Sequence, residues 1–394
     1  MKLNSLVEKL AAFEPSGAPF ISLYLNAEVN QNGREDYPIW LKNEFRSKAE
    51  EFEAESEEAK QFNEAVERIN NFLDTEVDNS ANGIAIFAEI GGDFFETAQL
   101  DTAFPENLSV VFDRPHIFPL VRLIEQNPKY CAVWADTNHA DIYIFGGEQT
   151  LNADNDSEAK VEEIQNNVTN RTKVGGWSQA RYQRHVENFH LQHAKETVEE
   201  VEKLMRNQKI EHLILCGDET GVIPILKEHF SKPFEDSIVT TLNLSKYDSE
   251  GEIRDATHEA MKVENALRDK EKVERMFGAA KAAAGLGTIG VEKTLEALSN
   301  GQVEELLISA DFGAIEYSAK KVKKVLKNYA PGDDNSSAEE LPDTKETGQV
   351  ADELLVRALN SAAKIIFIED ESMLKEAGGV GAVLRYNMNA TANG

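Results

Sequence analysis

Short apolar runs of strand length, separated by stretches of helical period, constrain this chain more than any other feature. FISLYLN at 20–26, NGIAIFAEI at 82–90, NLSVVFD at 107–113, HLILCG at 212–217 and KIIFIED at 364–370 are dominated by branched and aromatic residues. Runs of this kind read as buried strands. Between them apolar residues recur at helical spacing: Leu3, Leu6, Val7 and Leu10; a long charged stretch from Trp40 to about Phe72; Val186, Phe189, Val198, Val201 and Met205; VIPILKEHF; and GVEKTLEALS with Gly301 as its stop. CAVWADTNHADIYIFGGE places two apolar runs around a polar turn at 136–139, the pattern of a β-hairpin. Strands alternating with helices predict α/β architecture, sheets covered by helices.

The chain has 394 residues, length for several domains at roughly 100–200 residues each. The divisions fall at 1–125, 126–275 and 276–394, three α/β units, the last expected as a three-layer sandwich. Residues 151–170, polar and Asn-rich, read as an exposed loop, and PGDDNSSAEELPDTKETG at 331–348 as an acidic low-complexity loop. Hydrophobic residues make up 41%, which excludes a disordered chain. Cys131 and Cys216 are the only cysteines, each inside an apolar run. They exclude a disulfide framework and predict buried strand thiols in a reducing compartment. No signal-peptide core opens the sequence and no stretch approaches ~20 apolar residues, so a cytoplasmic location without membrane contact is expected.

A net charge of −29 argues against a generally basic nucleic-acid coat protein. One segment departs from it. Between Thr169 and Lys195, Arg171, Lys173, Arg181, Arg184 and Lys195 face a single acid, Glu187, with Trp177 and Tyr182 interleaved and Gly175 and Gly176 in front. Phosphates attract such a patch and aromatic planes accept stacked bases; an ordinary helix start after a flexible loop has the same composition. His185, His190 and His193 lack the spacing of a zinc motif. They read as solvated or RNA-facing histidines, and no metal or cofactor is expected. GGVGAVLRY at 378–386 lacks the following helix that a phosphate loop requires. No catalytic triad, Walker sequence or carboxylate pair emerges.

GVEKTLEALSNGQVEELLISADF, TKETGQ and GGVGAVLRYNM follow in the order of the archaeal and eukaryotic class-1 release factor and Pelota family. The chain resembles that family throughout, in a divergent bacterial branch; KYCAVWADTNHADIYIFGGE is similar to the opening of its central domain, and FISLYL, NEF and NGIAIFA match more weakly. The resemblance implies three α/β domains of the release factor/Pelota type in a tRNA-mimicking arrangement: the first at the decoding centre, the second carrying a Gly-Gly-Gln loop to the peptidyl-transferase centre, the third binding partners.

Aligned without gaps, the family's Gly-Gly-Gln-Ser-Ala-Leu-Arg-Phe-Ala-Arg falls on residues 175–184, where Gly175, Gly176, Ser178, Arg181 and Arg184 agree and Trp177 replaces the catalytic Gln. An indole donates one N–H and accepts nothing, so it cannot position water as a carboxamide does. Gln179, two residues on, is the candidate substitute in a refolded loop. The stop-codon motif Asn-Ile-Lys-Ser falls on Glu50-Glu51-Phe52-Glu53, whose acids repel RNA.

The resemblance therefore implies a factor that enters the vacant ribosomal A site without reading codons, in hibernation or on stalled ribosomes. Lys173, Gly175, Gly176, Trp177, Ser178, Gln179, Arg181, Tyr182, Arg184 and His185 would face ribosomal RNA there, with Gly175 to Gln179 as the loop. The alternative is a codon-independent peptidyl-tRNA hydrolase using Gln179. By analogy the partners are the ribosome and elongation factor Tu or a related translational GTPase, and the protein is expected as a monomer.

Overall fold

The structure is a computed structural model that describes residues 3–29, 35–53, 56–100, 102–146, 160–165, 177–245, 247–282, 285–317 and 343–387 with Val322 and Val325. For 160–165, 177–189 and 343–346 the description is of backbone. The chain forms two compact units. One joins Met1–Gln126 to Asp269–Gly394; the other is built from Asn127–Gly147 and the segment ending at Arg268.

The first unit opens with α1 (Leu3–Ala11), whose Leu3, Leu6, Val7 and Leu10 are all buried. It continues through β1 (Phe20–Asn26), α2 (Tyr37–Ala49), α3 (Glu57–Thr75), β2 (Gly83–Glu89), β3 (Phe95–Leu100), β4 (Leu108–Phe112) and α4 (Phe118–Gln126). The strands form an antiparallel sheet in the order β3-β2-β1-β4. Alternation along β1 sends Ile21, Leu23 and Leu25 to the α2 and α3 side and Phe20 and Tyr24 to the α1 and α4 side.

The single helix expected from Trp40 to Phe72 is two helices. Ser56 supplies the reason: its Oγ accepts the Ala59 N–H at 3.0 Å, and Glu57 and Glu58 follow in the first turn. An N-cap with acids behind it starts a new helix rather than continuing an old one.

The second unit contains β5 (Tyr130–Ala135), β6 (His139–Phe145), β7 (Lys160–Gln165), α5 (Trp177–Gln208), β8 (His212–Gly217), α6 (Val222–His229), α7 (Lys232–Glu235), β9 (Ile238–Leu242) and the start of α8 (Glu250–Lys281). Its sheet runs β7-β6-β5-β8-β9, with β5 antiparallel to β6 and parallel to β8. The hairpin turn is where the sequence places it: Asp136 Oδ1 accepts the N–H groups of Asn138 at 2.7 Å and His139 at 2.8 Å. Cys131, Val133 and Ala135 pack toward α5 and α6, while Tyr130, Ala132 and Trp134 pack toward α8.

Strand β7 corrects the reading of 151–170 as a loop throughout. KVEEIQ carries little apolar signal, and it is a strand because β6 pairs with it, His139 opposite Gln165 and Ala140 opposite Ile164. The rest of 151–170 lies outside the described residues.

The chain then returns to the first unit through α8, followed by β10 (Gly287–Ile289), α9 (Val291–Ser299), β11 (Val303–Ser309), α10 (Asp343–Asn360), β12 (Lys364–Ile368), α11 (Glu371–Leu374) and β13 (Val380–Leu384). The sheet order is β10-β13-β11-β12. Leu306 and Ile308 face α9 and α10, and Leu307 between them faces Met276 of α8 and Leu374, so helices cover both faces and the expected three-layer sandwich is present. Gly301, at φ +65°, ends α9 as the sequence predicts. The expected acidic loop at 331–348 is shorter at its far end, because Asp343 to Gly348 already belong to α10; residues 331–342 lie outside the described residues.

One apolar core runs through the first unit: Leu6, Phe20, Phe87 and Phe118 from the start of the chain pack in the same cluster as Leu295, Leu306, Leu354 and Phe367 from its end.

Candidate functional site

The basic segment singled out by the sequence leads into α5, a helix of 32 residues. Trp177, Ser178, Gln179, Arg181, Tyr182, Arg184 and His185 follow one another along its first turns, a span of about 12 Å at 1.5 Å per residue. Lys173, Gly175 and Gly176 lie outside the described residues. The loop expected to reach Gln179 therefore ends earlier. Nothing after Gly176 breaks a helix, and Ala180, Gln179 and Arg181 favour one, so Trp177 to Gln179 are helical. Helical register puts Trp177, Arg181 and Arg184 at i, i+4 and i+7, one side of α5, and Gln179 about 200° around the axis from Trp177.

The later turns of α5 anchor it. Ala194, Val198, Val201 and Met205 sink into the core between helix and sheet, as predicted for the last three. His193 sits among them, 1% exposed. Burial lowers its pKa below the usual histidine value, partly offset by the His139 backbone and by Asp136 and Glu196. This is a core histidine, in contrast to the solvated or RNA-facing one expected. No group of three His, Cys, Asp or Glu side chains is placed to hold a metal ion among the described residues.

The two thiols lie in strands as expected. Burial pushes Cys131 up to about 12, with a smaller contribution from Cys216, and burial alone pushes Cys216 up to about 12. They face opposite sides of the sheet, Cys131 toward α5 and Cys216 toward α8.

At the position aligned with the stop-codon motif, Glu50, Glu51 and Glu53 are exposed at the end of α2. Phe52 between them is half-buried, its ring 5.0 Å from that of Phe62 on α3. This turn presents carboxylates to solvent on an aromatic anchor.

The glycine run before β13 is a packing device. Gly378 and Gly379 have φ of +62° and +80°, and a Cβ on Gly379 would lie 2.6 Å from the Ala314 carbonyl oxygen. A Cβ on Gly381 would lie 2.9 Å from the Thr288 oxygen and closer still to Met276. These glycines let strands and a helix approach, and no helix stands ready to receive a phosphate.

Comparison with known proteins separates the middle of the chain from its end. The sequence model of bacterial archaeo-eukaryotic release factor family 10 matches residues 115–262, and that of eRF1 domain 3 matches 266–388. The chain belongs to the archaeo-eukaryotic release factor family. The family-10 match spans α5, so the basic helix start is part of the family's own domain. Peptide chain release factor subunit 1 of Thermococcus kodakarensis is 23% identical over 425 residues, covering 98% of each chain. The eukaryotic peptide chain release factor subunit 1 of Saccharomyces cerevisiae is 27% identical over 235 residues, 55% of this chain and 54% of its own. Among solved structures, the archaeal translation termination factor aRF1 aligns over 98% of this chain and 97% of its own at 17% identity and a TM-score of 0.28. A ribosome-bound archaeal Pelota aligns over 98% and 94% at 13% identity and a TM-score of 0.41.

No helix among the described residues is long and apolar enough to cross a membrane.

Proposed function

We propose that this protein is a ribosome-binding factor that occupies the vacant A site, presents the start of α5 to the peptidyl-transferase centre and acts in ribosome hibernation or on stalled ribosomes without reading stop codons. The reading rests on the ungapped alignment of residues 175–184 with the family's Gly-Gly-Gln segment, which sets Trp177 on the position of the hydrolytic Gln; in support, Trp177 opens a basic helix inside the family-matched segment. An indole stacks on a base and cannot hold an attacking water. Exposed Glu50, Glu51 and Glu53 at the codon-reading position support the absence of decoding.

In this reading segments 1–125, 126–275 and 276–394 take the decoding, peptidyl-transferase and partner-binding stations of a tRNA-like factor. Lys173, Arg181 and Arg184 neutralise ribosomal RNA phosphates, Trp177 and Tyr182 stack, and the monomeric protein is delivered by elongation factor Tu or a related translational GTPase in the cytoplasm. The archaeal Pelota whose structure is known on the ribosome is the precedent for the site of action.

The test is sedimentation of the purified protein with vacant and with peptidyl-tRNA-loaded ribosomes, the same fractions being assayed for released peptide. Binding to vacant ribosomes without release is the expected result. Release abolished by Gln179→Ala would make the protein a hydrolase instead, and failure to co-sediment at low salt would remove the ribosome altogether.

A further inference from the structure

Helix α4 starts without a cap of its own. The residues before it, His116 and Ile117, bring no side chain of the Ser, Thr, Asp or Asn type that satisfies first-turn N–H groups. Asp352 on α10 supplies the missing acceptor: its Oδ1 takes the N–H groups of Ile117 and Phe118, each at 3.0 Å. Its Oδ2 lies 2.7 Å from His116 Nδ1, within hydrogen-bond distance. Both side chains are fully buried.

His116 is tied to the sheet on its other side. Its N–H donates to Ser22 Oγ at 2.9 Å and its carbonyl accepts the Tyr24 hydroxyl, both on β1. Around its ring stand Phe112, Phe118 and Phe312, with centroids 5.4, 6.4 and 5.5 Å away. The contact extends along α10. A Cβ on Gly348 would lie 3.0 Å from the Phe112 ring, Gln349 donates to Asp113 at 3.1 Å, and Glu353 takes Arg114 at 3.0 Å. Residues 348, 349, 352 and 353 thus meet residues 112, 113, 116 to 118 and 114.

We propose that Asp352 is a positioning residue that caps α4 from the far end of the chain and locks the β1 sheet and the β11 sheet into one body that opens and closes as a unit. A lost Asp352 would strand two helix-start N–H groups and leave His116 Nδ1 without its partner away from water, so the penalty falls on both sheets at once. A partner engaging either end of the chain would then meet a body whose other end cannot move independently. This inference does not depend on the ribosomal reading.

Hydrogen–deuterium exchange of the full-length protein tests it. Asp352→Ala is expected to speed exchange in α4, β1 and β11 together, by about a hundredfold or more. Asp352→Asn keeps a carbonyl acceptor for Ile117 and Phe118 and is expected to restore most of the protection, with β1 and β11 again moving by the same factor. Arg114→Ala, at the rim, should change exchange by less than about fivefold. If α4 alone loses protection, or if β1 and β11 respond by different factors in either Asp352 variant, the lock is refuted; should the Ala variant fail to fold, the Asn variant decides by the same comparison.

Discussion

Asp352 and His116, 236 positions apart in sequence, share a 2.7 Å hydrogen bond in a site that neither side chain opens to solvent. The contact explains part of what TKETGQ at 344–349 is for. Gly348 lets α10 approach Phe112, and Gln349 reaches Asp113, so the end of the motif begins the face that closes on His116. A motif that reads as a family marker thus contributes to holding the two ends of the chain in one core.

Ser56 should be a measurable break point. Ser56→Ala removes the acceptor of the Ala59 N–H and is expected to lower stability by about 1 kcal/mol. The denaturant midpoint should fall with an unchanged slope; an unchanged midpoint would mean that α3 starts without help from this hydroxyl.

The thiols should resist modification. With both pushed up to about 12, Cys131 and Cys216 should not react with a thiolate-selective reagent at pH 8 in the native protein and should react fully once it is unfolded. Folding favours the protonated thiols, so the stability they contribute is present below their unfolded pKa, 9.0, and is lost as pH rises from there toward about 12. Alkaline titration of stability with Cys131→Ala should show a shallower loss over that window.

His193 acts with the opposite sign. Its pKa is lowered in the fold, so the neutral ring is favoured and its contribution is present above the unfolded value of 6.5 and is lost as pH falls through the lower folded value. His193→Leu, close in volume and uncharged, should flatten the acid limb of the stability profile while changing stability at pH 8 by less than about 1.5 kcal/mol. Exchange of α5 amides near residue 194 gives the local readout.

Trp177 and Arg181 should separate stacking from charge. Under the proposed function, Trp177→Ala weakens ribosome binding by about tenfold or more with little change in salt dependence, as loss of a base-stacking platform costs ~1–3 kcal/mol. Arg181→Ala weakens it too and reduces the slope of log affinity against log salt by about 1. Equal salt slopes for the wild type and Arg181→Ala would mean that this guanidinium meets no phosphate.

Local information was enough for most of the architecture. The runs that form β1, β2, β4, β5, β8 and β12, the stripe Leu3, Leu6, Val7 and Leu10, and the stop at Gly301 all depend on residues within a turn or two of one another, where apolar period and backbone conformation leave a readable trace. The Ser56 cap is equally local: Ser56 followed by Glu57 and Glu58 marks a helix start inside the Trp40 to Phe72 stretch, against its continuous apolar spacing. The basic segment with Trp177 and Tyr182 interleaved is also legible, because charge and residue type need no coordinates. What the sequence could not carry is pairing. KVEEIQ has too few apolar residues to declare itself and is a strand because β6 offers a free edge. His193 carries the same imidazole as its solvated counterparts and differs only in what covers it. Asp352 looks like any acid on a charged helix; that it completes a helix more than two hundred residues away depends on two surfaces meeting, and distance along the chain leaves no period from which such a meeting can be read.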